Sequence, residues 1–405
     1  MSGFLTHLLK VDSALETDEA RESYLRERVD DVYDALTDGM TREVRDQELV
    51  EAAAELVPGL TPDRETMAAE GGRELAEKQG VELAQGLFLS HVLASPRCGP
   101  HLIHTMLRPT PEALERLDDF RGSGVADLGP VHLSRQGRAG VLELRNPRHL
   151  NAEDDLTLGP TEVAVDLILL DPEIEIGVLR GGVVDHPRYE GSRIFGAGLN
   201  LTRLYKGLLP FMFFITRDLG FVNKIFRGLT GPEYRPGEPE RNTEKLWIAA
   251  AETYAIGGAC QLLLVVDHVI AERGSRLYLP ARKEGIIPGA ANLRLPRFVG
   301  DRVARRAILS GLEFEAGTDA AAPLCDEVVE PGGVDAALEA RIEALTSSGL
   351  VNAAANRRAM RIGEEPPETF RAYMASFARD QAECHLSPAL VRNLEQNWNA
   401  KDRTL

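Results

Sequence analysis

The stretch WIAAAETYAIGGACQLLLVVDHVIAERGSRLYLPARKEGIIPG, from Trp247 to Gly289, decides how this chain is interpreted. Its first part, Trp247 to Tyr254, is an apolar run typical of a buried strand. The chain then turns through Gly257 and Gly258 into a second apolar run, Leu262 to Ala271, which the pattern predicts as helix. Because glycine permits tight turns and close approach of the backbone, such a corner can direct unpaired N–H groups at a ligand oxygen.

A second stretch, RIFGAGLNLTRLY from Arg193 to Tyr205, has the same character. It combines a strand end, a turn that contains Gly196 and Gly198, and a helix start that Asn200 can cap. A double glycine before a helix is a weak signal alone, and a tight packing corner explains it more simply. Two such turns, about sixty residues apart, can together present two N–H groups to one oxygen. The pair therefore favours an anion site built from backbone groups.

Five motifs, in this order along the chain, resemble the crotonase (enoyl-CoA hydratase/isomerase) superfamily over about residues 131–334. The resemblance implies an α/β core of stacked β-β-α turns. It also implies an oxyanion hole for a CoA thioester, made by the N–H groups of Leu199 and Gly258, with Gly196, Ala197, Gly198 and Gly257 beside it. The motifs are LELRNPRHLNAED (Leu142 to Asp154), FGAGLNL (Phe195 to Leu201), AIGGACQ (Ala255 to Gln261), EGIIPGA (Glu284 to Ala290) and SGLEFEAGTDAAAPLCDEVVEP (Ser310 to Pro331).

Two departures from the family pattern limit the reactions that this chain is expected to catalyse. Hydratases of the family carry two catalytic glutamates, at the positions of Gln261 and Ala281 in this chain. An amide and a methyl group cannot move protons, so ordinary hydration of an enoyl-CoA is not expected. In the stretches GGACQLLLVVDHVIAE (Gly257 to Glu272) and ARKEGIIPGAANLRLPRFVG (Ala281 to Gly300), and in a long helical N-terminal extension, the chain resembles cofactor-independent dioxygenases of the family. The resemblance implies a CoA thioester and O₂ as substrates, an arylglyoxylate and free CoA as products, and no metal or organic cofactor.

The same resemblance assigns roles to five side chains. The Gln261 amide would hydrogen-bond to substrate or peroxide, Glu153 and Arg217 would recognise ring hydroxyls, and Ile286 and Ile287 would wall an apolar pocket for dioxygen. The structural alternatives are a surface ion pair for Arg217 and a helix-start carboxylate for Glu153. Core packing explains the two isoleucines equally well. The sequence does not identify the base that removes the substrate proton.

Two other functions remain open at this point. One is a crotonase-family isomerase or carbon–carbon hydrolase that keeps the oxyanion hole and uses another base. The other is a catalytically silent family member that serves as an assembly or binding subunit. Loss of both glutamates favours the silent subunit, whereas retention of both glycine turns argues against it.

Composition excludes several classes of protein. The 405 residues are 43% hydrophobic and 27% charged, as in soluble globular proteins. A formal net charge of −17 argues against nucleic acid or an anionic membrane as a partner, although CoA phosphates would then need a local basic patch. Four scattered cysteines without a CxxC pair indicate reduced thiols. With no signal peptide and no apolar run long enough to span a bilayer, a cytoplasmic protein is expected.

The pattern divides the chain into three parts. Residues 1–121 are predicted to be a helical N-terminal domain, 130–333 the crotonase-like core, and 334–405 a helical oligomerisation segment; family resemblance implies a trimer or a dimer of trimers. Within the core the pattern predicts a hairpin over Val131 to Leu144 and a strand over Ile174 to Leu179. The helix that precedes this strand is predicted over residues 161–170.

Some local features lie outside the candidate site. The pairs Thr61-Pro62 and Thr110-Pro111 predict two helix starts, with threonine as the cap. His101 and His104 are three residues apart on a predicted helix, but no further ligand is placed to complete a metal site. Residues 224–245 are rich in proline, glycine and charge, which predicts a surface loop or a connection between helices. The remaining prediction is a solvated helix face made by Arg357, Arg358 and Arg361.

Overall fold

A computed structural model describes residues 15–237, 241–347 and 351–405. The strands within these residues are β1 (Val125–Asp127), β2 (Val131–Gln136), β3 (Ala139–Leu144), β4 (Ile176–Gly181), β5 (Leu246–Ala251), β6 (Tyr254–Ile256), β7 (His268–Glu272), β8 (Arg276–Tyr278), β9 (Phe314–Glu315) and β10 (Glu327–Val329). They form a seven-stranded sheet, in the order β1-β2-β3-β4-β5-β7-β10, and a three-stranded sheet, in the order β6-β8-β9.

Helices make up most of the N-terminal and C-terminal parts of the chain and also connect the strands. None of the helices in the described ranges combines the length and the apolar character needed to cross a membrane. The helices are α1 (Asp18–Thr37), α2 (Asp46–Leu56), α3 (Arg64–Gly71), α4 (Leu83–Ala94), α5 (Cys98–Met106), α6 (Pro111–Ser123), α7 (Leu158–Leu170), α8 (Leu201–Tyr205), α9 (Met212–Leu219), α10 (Phe221–Arg227), α11 (Gly258–Leu262), α12 (Ala281–Glu284), α13 (Ala291–Ser310), α14 (Val334–Thr346), α15 (Val351–Glu364), α16 (Pro367–His385) and α17 (Pro388–Trp398).

The large sheet is antiparallel at one edge and parallel through its centre. Strands β1, β2 and β3 pair antiparallel, whereas β3, β4, β5, β7 and β10 pair parallel. The predicted hairpin is confirmed, with its turn at Gly137 (φ 59°). The strand predicted near Ile174 is also confirmed, and β4 extends two residues beyond the predicted end at Leu179. Near-continuous apolar strands such as β5 fit a parallel sheet covered on both faces.

The helix predicted over Leu262 to Ala271 is wrong for most of its length. Helix α11 already ends at Leu262, and His268 to Glu272 forms strand β7 between β5 and β10. A short apolar run fits a buried strand as well as a buried helix, so hydrophobicity alone did not separate them. The valine and isoleucine of this run favour the strand, because β-branched side chains pack well on a pleated surface.

The N-terminal part is helical in the described residues, as predicted, with one exception at a helix cap. Leu25, Val32 and Leu36 on α1 are buried. Thr110 caps α6, because its side chain accepts a hydrogen bond from the N–H of Ala113. The helix start predicted at Thr61 is wrong: α3 begins at Arg64, with Asp63 as its cap. The Thr61 hydroxyl instead donates to the carbonyl of Val50.

The N-terminal helices pack against the C-terminal helix α16 and against α9, which precedes the core helix α10. A Cβ atom added at Gly86 on α4 would lie 2.5 Å from Cβ of Ala382 on α16, so this close helix crossing needs glycine. One apolar cluster joins Phe88, Phe377 and Ile215 from these three helices. Helix α9 therefore shares one apolar cluster with the N-terminal and C-terminal helices. The three domain boundaries stay a prediction.

The solvated helix face predicted in the C-terminal segment is wrong for two of its three arginines. Arg357 is 4% exposed and Arg361 is 7% exposed. Nε of Arg357 lies 2.7 Å from Asp267, and Nη2 of Arg361 lies 2.6 Å from Glu244. These carboxylates come from the core, about a hundred residues earlier in sequence. Arg357 and Arg361 therefore bind α15 to the core through ion pairs instead of facing water.

A buried charge cluster joins the N-terminal helices to the core. The surface loop predicted from residue 224 is wrong at its start, since Lys224 lies on α10 and is fully buried. Its ammonium is 2.7 Å from Asp166 and 2.8 Å from Glu162, and Glu162 also binds Arg45 at 2.6 Å. Burial alone would raise the pKa of Glu162, but Lys224 and Arg45 outweigh that effect and lower it. Both carboxylates therefore depend on the buried cation.

We expect Lys224→Met to lower the free energy of unfolding by about 3 kcal/mol, because removing one partner of a buried ion pair leaves an uncompensated charge. Urea unfolding followed by circular dichroism measures the change. Lys401→Met is the matched control, since Lys401 is exposed. Equal unfolding free energies for the two variants would contradict the structural role of Lys224.

Candidate active site

The two glycine turns meet. The N–H of Gly196 donates to the carbonyl of Tyr254, and the N–H of Ile256 donates to the carbonyl of Gly196, both at 3.0 Å. A Cβ atom added at Gly198 would lie 2.8 Å from the carbonyl oxygen of Ile256. Gly198 (φ 81°) and Gly257 (φ 52°) also adopt left-handed conformations that glycine favours. The juxtaposition predicted from the two sequence stretches is therefore present.

The N–H groups of these turns have different partners. Those of Ala197 and Gly257 donate to the carbonyls of Leu150 and Tyr278. In the part of the chain that the structure describes, no group of the protein accepts from the N–H of Leu199 or of Gly258. Both of these residues line one cavity. The arrangement thus leaves two backbone donors beside the same cavity.

Arg217 organises the polar side of this cavity. It lies on α9 and is 4% exposed. Its Nε and Nη2 atoms bind the two carboxylate oxygens of Glu153, at 2.5 and 2.9 Å. Nη2 also donates to the carbonyl of Gly258 and Nη1 to Oε1 of Gln261, at 2.9 and 2.8 Å. Burial alone would lower the pKa of Arg217, but Glu153 outweighs it and raises that pKa, so the guanidinium stays charged.

The structural alternatives considered for Arg217 and Glu153 are both wrong. The ion pair is buried, since Glu153 is only 7% exposed. Glu153 does not start a helix, because α7 begins at Leu158 with Thr157 before it. Its backbone instead pairs with the first glycine turn: the N–H of Glu153 donates to Gly198, and its carbonyl accepts from Asn200. The ion pair is therefore fixed to both turns.

Most of the predicted site residues surround this one cavity, and three do not. Gly196, Ala197 and Gly198 form the first turn but do not line the cavity. Ala281, which replaces a family glutamate, does line it, and so do Ile286 and Ile287. The predicted residues that line it are Glu153, Leu199, Arg217, Gly257, Gly258, Gln261, Ile286 and Ile287.

Two buried carboxylates at the cavity were missed. Asp218 follows Arg217, and burial raises its pKa although Arg217 and Arg294 partly oppose that effect. Glu284 is 7% exposed, and burial raises its pKa to about 7. A signal for Glu284 was available, because it lies three residues after Ala281 and such residues share one face of a helical turn. Phe213 and Phe214, also missed, supply apolar wall.

The histidine pair lies elsewhere. Nδ1 of His101 is 2.7 Å from the Tyr33 hydroxyl, and the rings of His101 and His104 both contact the Tyr234 ring edge to face. Burial lowers the pKa of His101 to about 4. Across residues 15–237, 241–347 and 351–405, no group of three or more His, Cys, Asp or Glu side chains is arranged to hold a metal ion. The histidines pack in the helical part of the protein.

Comparison with known proteins relates this geometry to a family. The model of the enoyl-CoA hydratase/isomerase family matches residues 240–383. The (3,5-dihydroxyphenyl)acetyl-CoA 1,2-dioxygenase of Amycolatopsis orientalis is 47% identical over 365 residues, which cover 90% of this chain and 82% of that protein. The chain belongs to the crotonase (enoyl-CoA hydratase/isomerase) superfamily.

More distant crotonases agree with this membership. A short-chain-enoyl-CoA hydratase of Clostridium acetobutylicum is 29% identical over 51% of this chain and 70% of its own length. The crystal structure of an enoyl-CoA hydratase from Bacillus halodurans superposes with a TM-score of 0.54 at 19% identity, covering 66% of this chain and 99% of that one. The structural likeness shows the crotonase fold.

Gln261 occupies the position of one of the catalytic glutamates of crotonase hydratases. A carboxylate is found there in those enzymes, whereas in this chain the amide oxygen of Gln261 accepts a hydrogen bond from Arg217. A Cβ atom added at Gly289 (φ 46°) would lie 2.5 Å from Oε1 of Gln261 and 2.7 Å from Oδ2 of Asp218. Glycine at 289 therefore lets the loop that carries Ile286 and Ile287 close over this polar cluster.

Proposed function

We propose that this chain is a dioxygenase that converts (3,5-dihydroxyphenyl)acetyl-CoA and O₂ into 3,5-dihydroxyphenylglyoxylate and free CoA, without a metal or organic cofactor. The observation that carries the proposal is the 47% identity over 90% of the chain to a dioxygenase of that substrate. The geometry of the two turns and of the Arg217 cluster is suited to the chemistry.

The thioester end of the substrate binds at the two free backbone donors. Removal of a proton from the carbon between ring and thioester creates an enolate, with negative charge on the thioester oxygen. The N–H groups of Leu199 and Gly258 stabilise this oxygen. Loss of one such preorganised donor typically costs about 3 kcal/mol of transition-state stabilisation. Because the donors belong to the backbone, their side chains matter only through the shape of the turns.

The ring end binds at the Arg217 cluster. A guanidinium carries five N–H donors. Within the described residues one Nε–H, two Nη2–H and one Nη1–H have acceptors, which leaves one donor on Nη1. That donor and the oxygens of Glu153 recognise the ring hydroxyls, and the Gln261 amide holds the substrate or its peroxide. An amide cannot return a proton to the enolate, which would quench it.

The reaction with oxygen completes the conversion. The enolate carbon gives up an electron pair to O₂ and forms a carbon–oxygen bond, which yields a peroxide at that carbon. The outer peroxide oxygen attacks the thioester carbon and expels CoA thiolate. Cleavage of the O–O bond, with loss of the second proton from the same carbon, leaves the ketone and the carboxylate. Ile286 and Ile287 line the apolar space from which O₂ approaches.

Substrate binding requires the cavity to widen. Its volume is ≈ 40 Å³. A cavity of about 150 Å³ is what accommodates benzene in a protein core, whereas one water takes up about 30 Å³. The dihydroxyphenyl ring therefore enters only after Phe213, Phe214 or the loop from Ile286 to Gly289 moves outward.

We propose a biological setting on the same basis. The arylglyoxylate is the keto acid precursor of dihydroxyphenylglycine, a nonproteinogenic amino acid of vancomycin-type glycopeptide antibiotics. The protein acts in the cytoplasm as a homo-oligomer, a trimer or a hexamer made of two trimers, and binds neither nucleic acid nor membranes. Size-exclusion chromatography with light scattering tests the oligomer directly.

Oxygen uptake on an electrode, in metal-depleted buffer with chelator and with free thiol followed in parallel, tests the function. Consumption of O₂ in step with CoA release from (3,5-dihydroxyphenyl)acetyl-CoA is the expected result. CoA release without oxygen uptake would identify a thioester hydrolase instead. Binding of acyl-CoA without any turnover would identify a silent subunit.

We expect Gln261→Glu to lower oxygen uptake roughly tenfold, because a carboxylate next to the substrate carbon can take up its proton and return it to the enolate before O₂ reacts. The measurement is made in D₂O, as the ratio of deuterium in recovered substrate to O₂ consumed, and this ratio is expected to rise. Gln261→Met is the control, since it removes the amide without supplying an acid. An equal ratio for both variants would contradict the protective role of the amide.

A further inference from the structure

Two carboxylates at the cavity, Asp218 and Glu284, are not used by the reaction described so far. Four charged side chains line the cavity, and three of them, Glu153, Arg217 and Asp218, lie side by side. The fourth, Glu284, has no hydrogen bond or ion pair to its carboxylate in the part of the chain that the structure describes. Its side chain is nevertheless buried, with 7% exposure. Burial of a carboxylate without a hydrogen-bond partner costs free energy, so such a group in a folded protein calls for a functional explanation.

Glu284 also lies on the same short helix as Ala281. It ends the short helix α12, which begins at Ala281. Residues three apart in a helix lie on the same face, and both residues line the cavity. Ala281 stands where crotonase hydratases have a proton-transferring glutamate. One helical turn further on, this chain therefore supplies a carboxylate to the same space.

We propose that Glu284 is the general base that removes the first proton from the substrate carbon, an inference that rests on the function proposed above. The carboxylate accepts the proton, and the C–H electron pair moves toward the thioester oxygen held by Leu199 and Gly258. Glu284 thereby becomes neutral, and the C–H bond is the only bond broken. The proton later passes to the departing CoA thiolate, which restores the carboxylate for the next turnover.

The surroundings of Glu284 suit a base. Burial raises its pKa to about 7, so the carboxylate is more basic than an exposed one and is still ionised in part at neutral pH. The other carboxylates at the cavity are worse candidates: Glu153 is held bidentate by Arg217, and Asp218 lies next to the same guanidinium. Tyr278, whose pKa burial raises to about 12, stays neutral.

Exchange of the substrate Cα hydrogens with D₂O under anaerobic conditions tests the proposal, because it reports proton removal without oxygen chemistry. The wild-type protein is expected to exchange them. Glu284→Gln is expected to slow exchange at least about 100-fold, the range typical for loss of a general base. Its affinity for the CoA thioester, measured by calorimetry, is expected to stay within a few-fold. Glu339→Gln, an exposed carboxylate, is the matched control.

A second variant separates chemistry from structure. Adding Ala281→Glu to Glu284→Gln returns a carboxylate to the same helix face, and we expect it to restore part of the exchange. Wild-type exchange in Glu284→Gln would overturn the base assignment while leaving the dioxygenase function intact. Failure of the wild-type protein to exchange or to consume O₂ would instead overturn the proposed function. If Glu284→Gln unfolds, Glu284→Asp is measured in its place. Slower exchange with unchanged CoA thioester binding in Glu284→Asp would support the assignment of Glu284 as the base. Exchange at the wild-type rate in that variant would refute the assignment.

Discussion

Gly258→Ala is expected to lower kcat/KM for oxygen uptake at least about 100-fold, the loss typical when an oxyanion donor is removed. A Cβ atom at position 258 would lie 2.5 Å from Oε1 of Glu153 and 3.1 Å from Nη2 of Arg217. Neither side chain can give way, because each holds the other in a buried bidentate pair. The backbone must therefore shift, and the N–H group that faces the cavity is misdirected.

A matched glycine separates this effect from a general cost of alanine. At Gly159, near the start of α7, an added Cβ atom meets no atom within 4 Å. Gly159→Ala is expected to keep full activity and to stabilise the protein by about 0.5 kcal/mol. Steady-state oxygen uptake and thermal unfolding of both variants measure the difference. A Gly258→Ala protein with unchanged kcat/KM would contradict the role of this donor, and one with unchanged kcat and only a higher KM would show that Gly258 binds ground state and transition state equally well.

The glycine turns were predictable from sequence because their requirement is local. Only glycine readily adopts the φ of Gly198 and allows the contact with Ile256. A turn of this kind can therefore be recognised from the residues that form it. The hairpin was predictable for the same reason, since its hydrophobic period is set by its own residues.

Features that depend on distant partners were not predictable. The run from Leu262 to Ala271 is apolar in either conformation, and its pairing with β5 and β10 makes its second half a strand. Arg357 and Arg361 have the pattern of a solvated helix face until Asp267 and Glu244 are placed opposite them. Charge alone does not indicate whether a side chain faces water or a buried counter-charge.

The residues of the candidate site also fall into those that were assigned from the sequence and those that were not. Arg217 and Glu153 were assigned through family resemblance, and the residues alone indicated neither burial nor pairing. The sequence places Glu284 one helical turn after Ala281, but it does not show that Glu284 or Asp218 is buried. Burial raises the pKa of both carboxylates, and only the tertiary structure shows that burial.

Arg217→Lys is expected to lower kcat/KM for oxygen uptake by a factor on the order of 1000, although the positive charge is kept. The guanidinium binds Glu153 with two parallel hydrogen bonds and also reaches Gly258 and Gln261. A lysine ammonium has three donors on one atom and cannot reproduce this fork. The second glycine turn and the Gln261 amide would both lose their shared anchor.

A second substitution at this position separates charge from geometry. Arg217→Met removes the cation and leaves Glu153 buried without a partner, so we expect the free energy of unfolding to fall by about 3–5 kcal/mol. Arg217→Lys retains the charge and is expected to lose only about 1–2 kcal/mol. Urea unfolding of the two variants measures the contrast, while oxygen uptake measures the geometry.

The double variant Glu153→Gln/Arg217→Met completes the test. With both charges gone, no uncompensated ion stays buried, and part of the stability lost in Arg217→Met is expected to return. Activity is not expected to return, since neither the fork nor the carboxylate is there to hold the ring hydroxyls. An Arg217→Lys protein that kept more than a tenth of wild-type kcat/KM would show that charge alone suffices. Ring recognition would then have to come from other residues of the cavity.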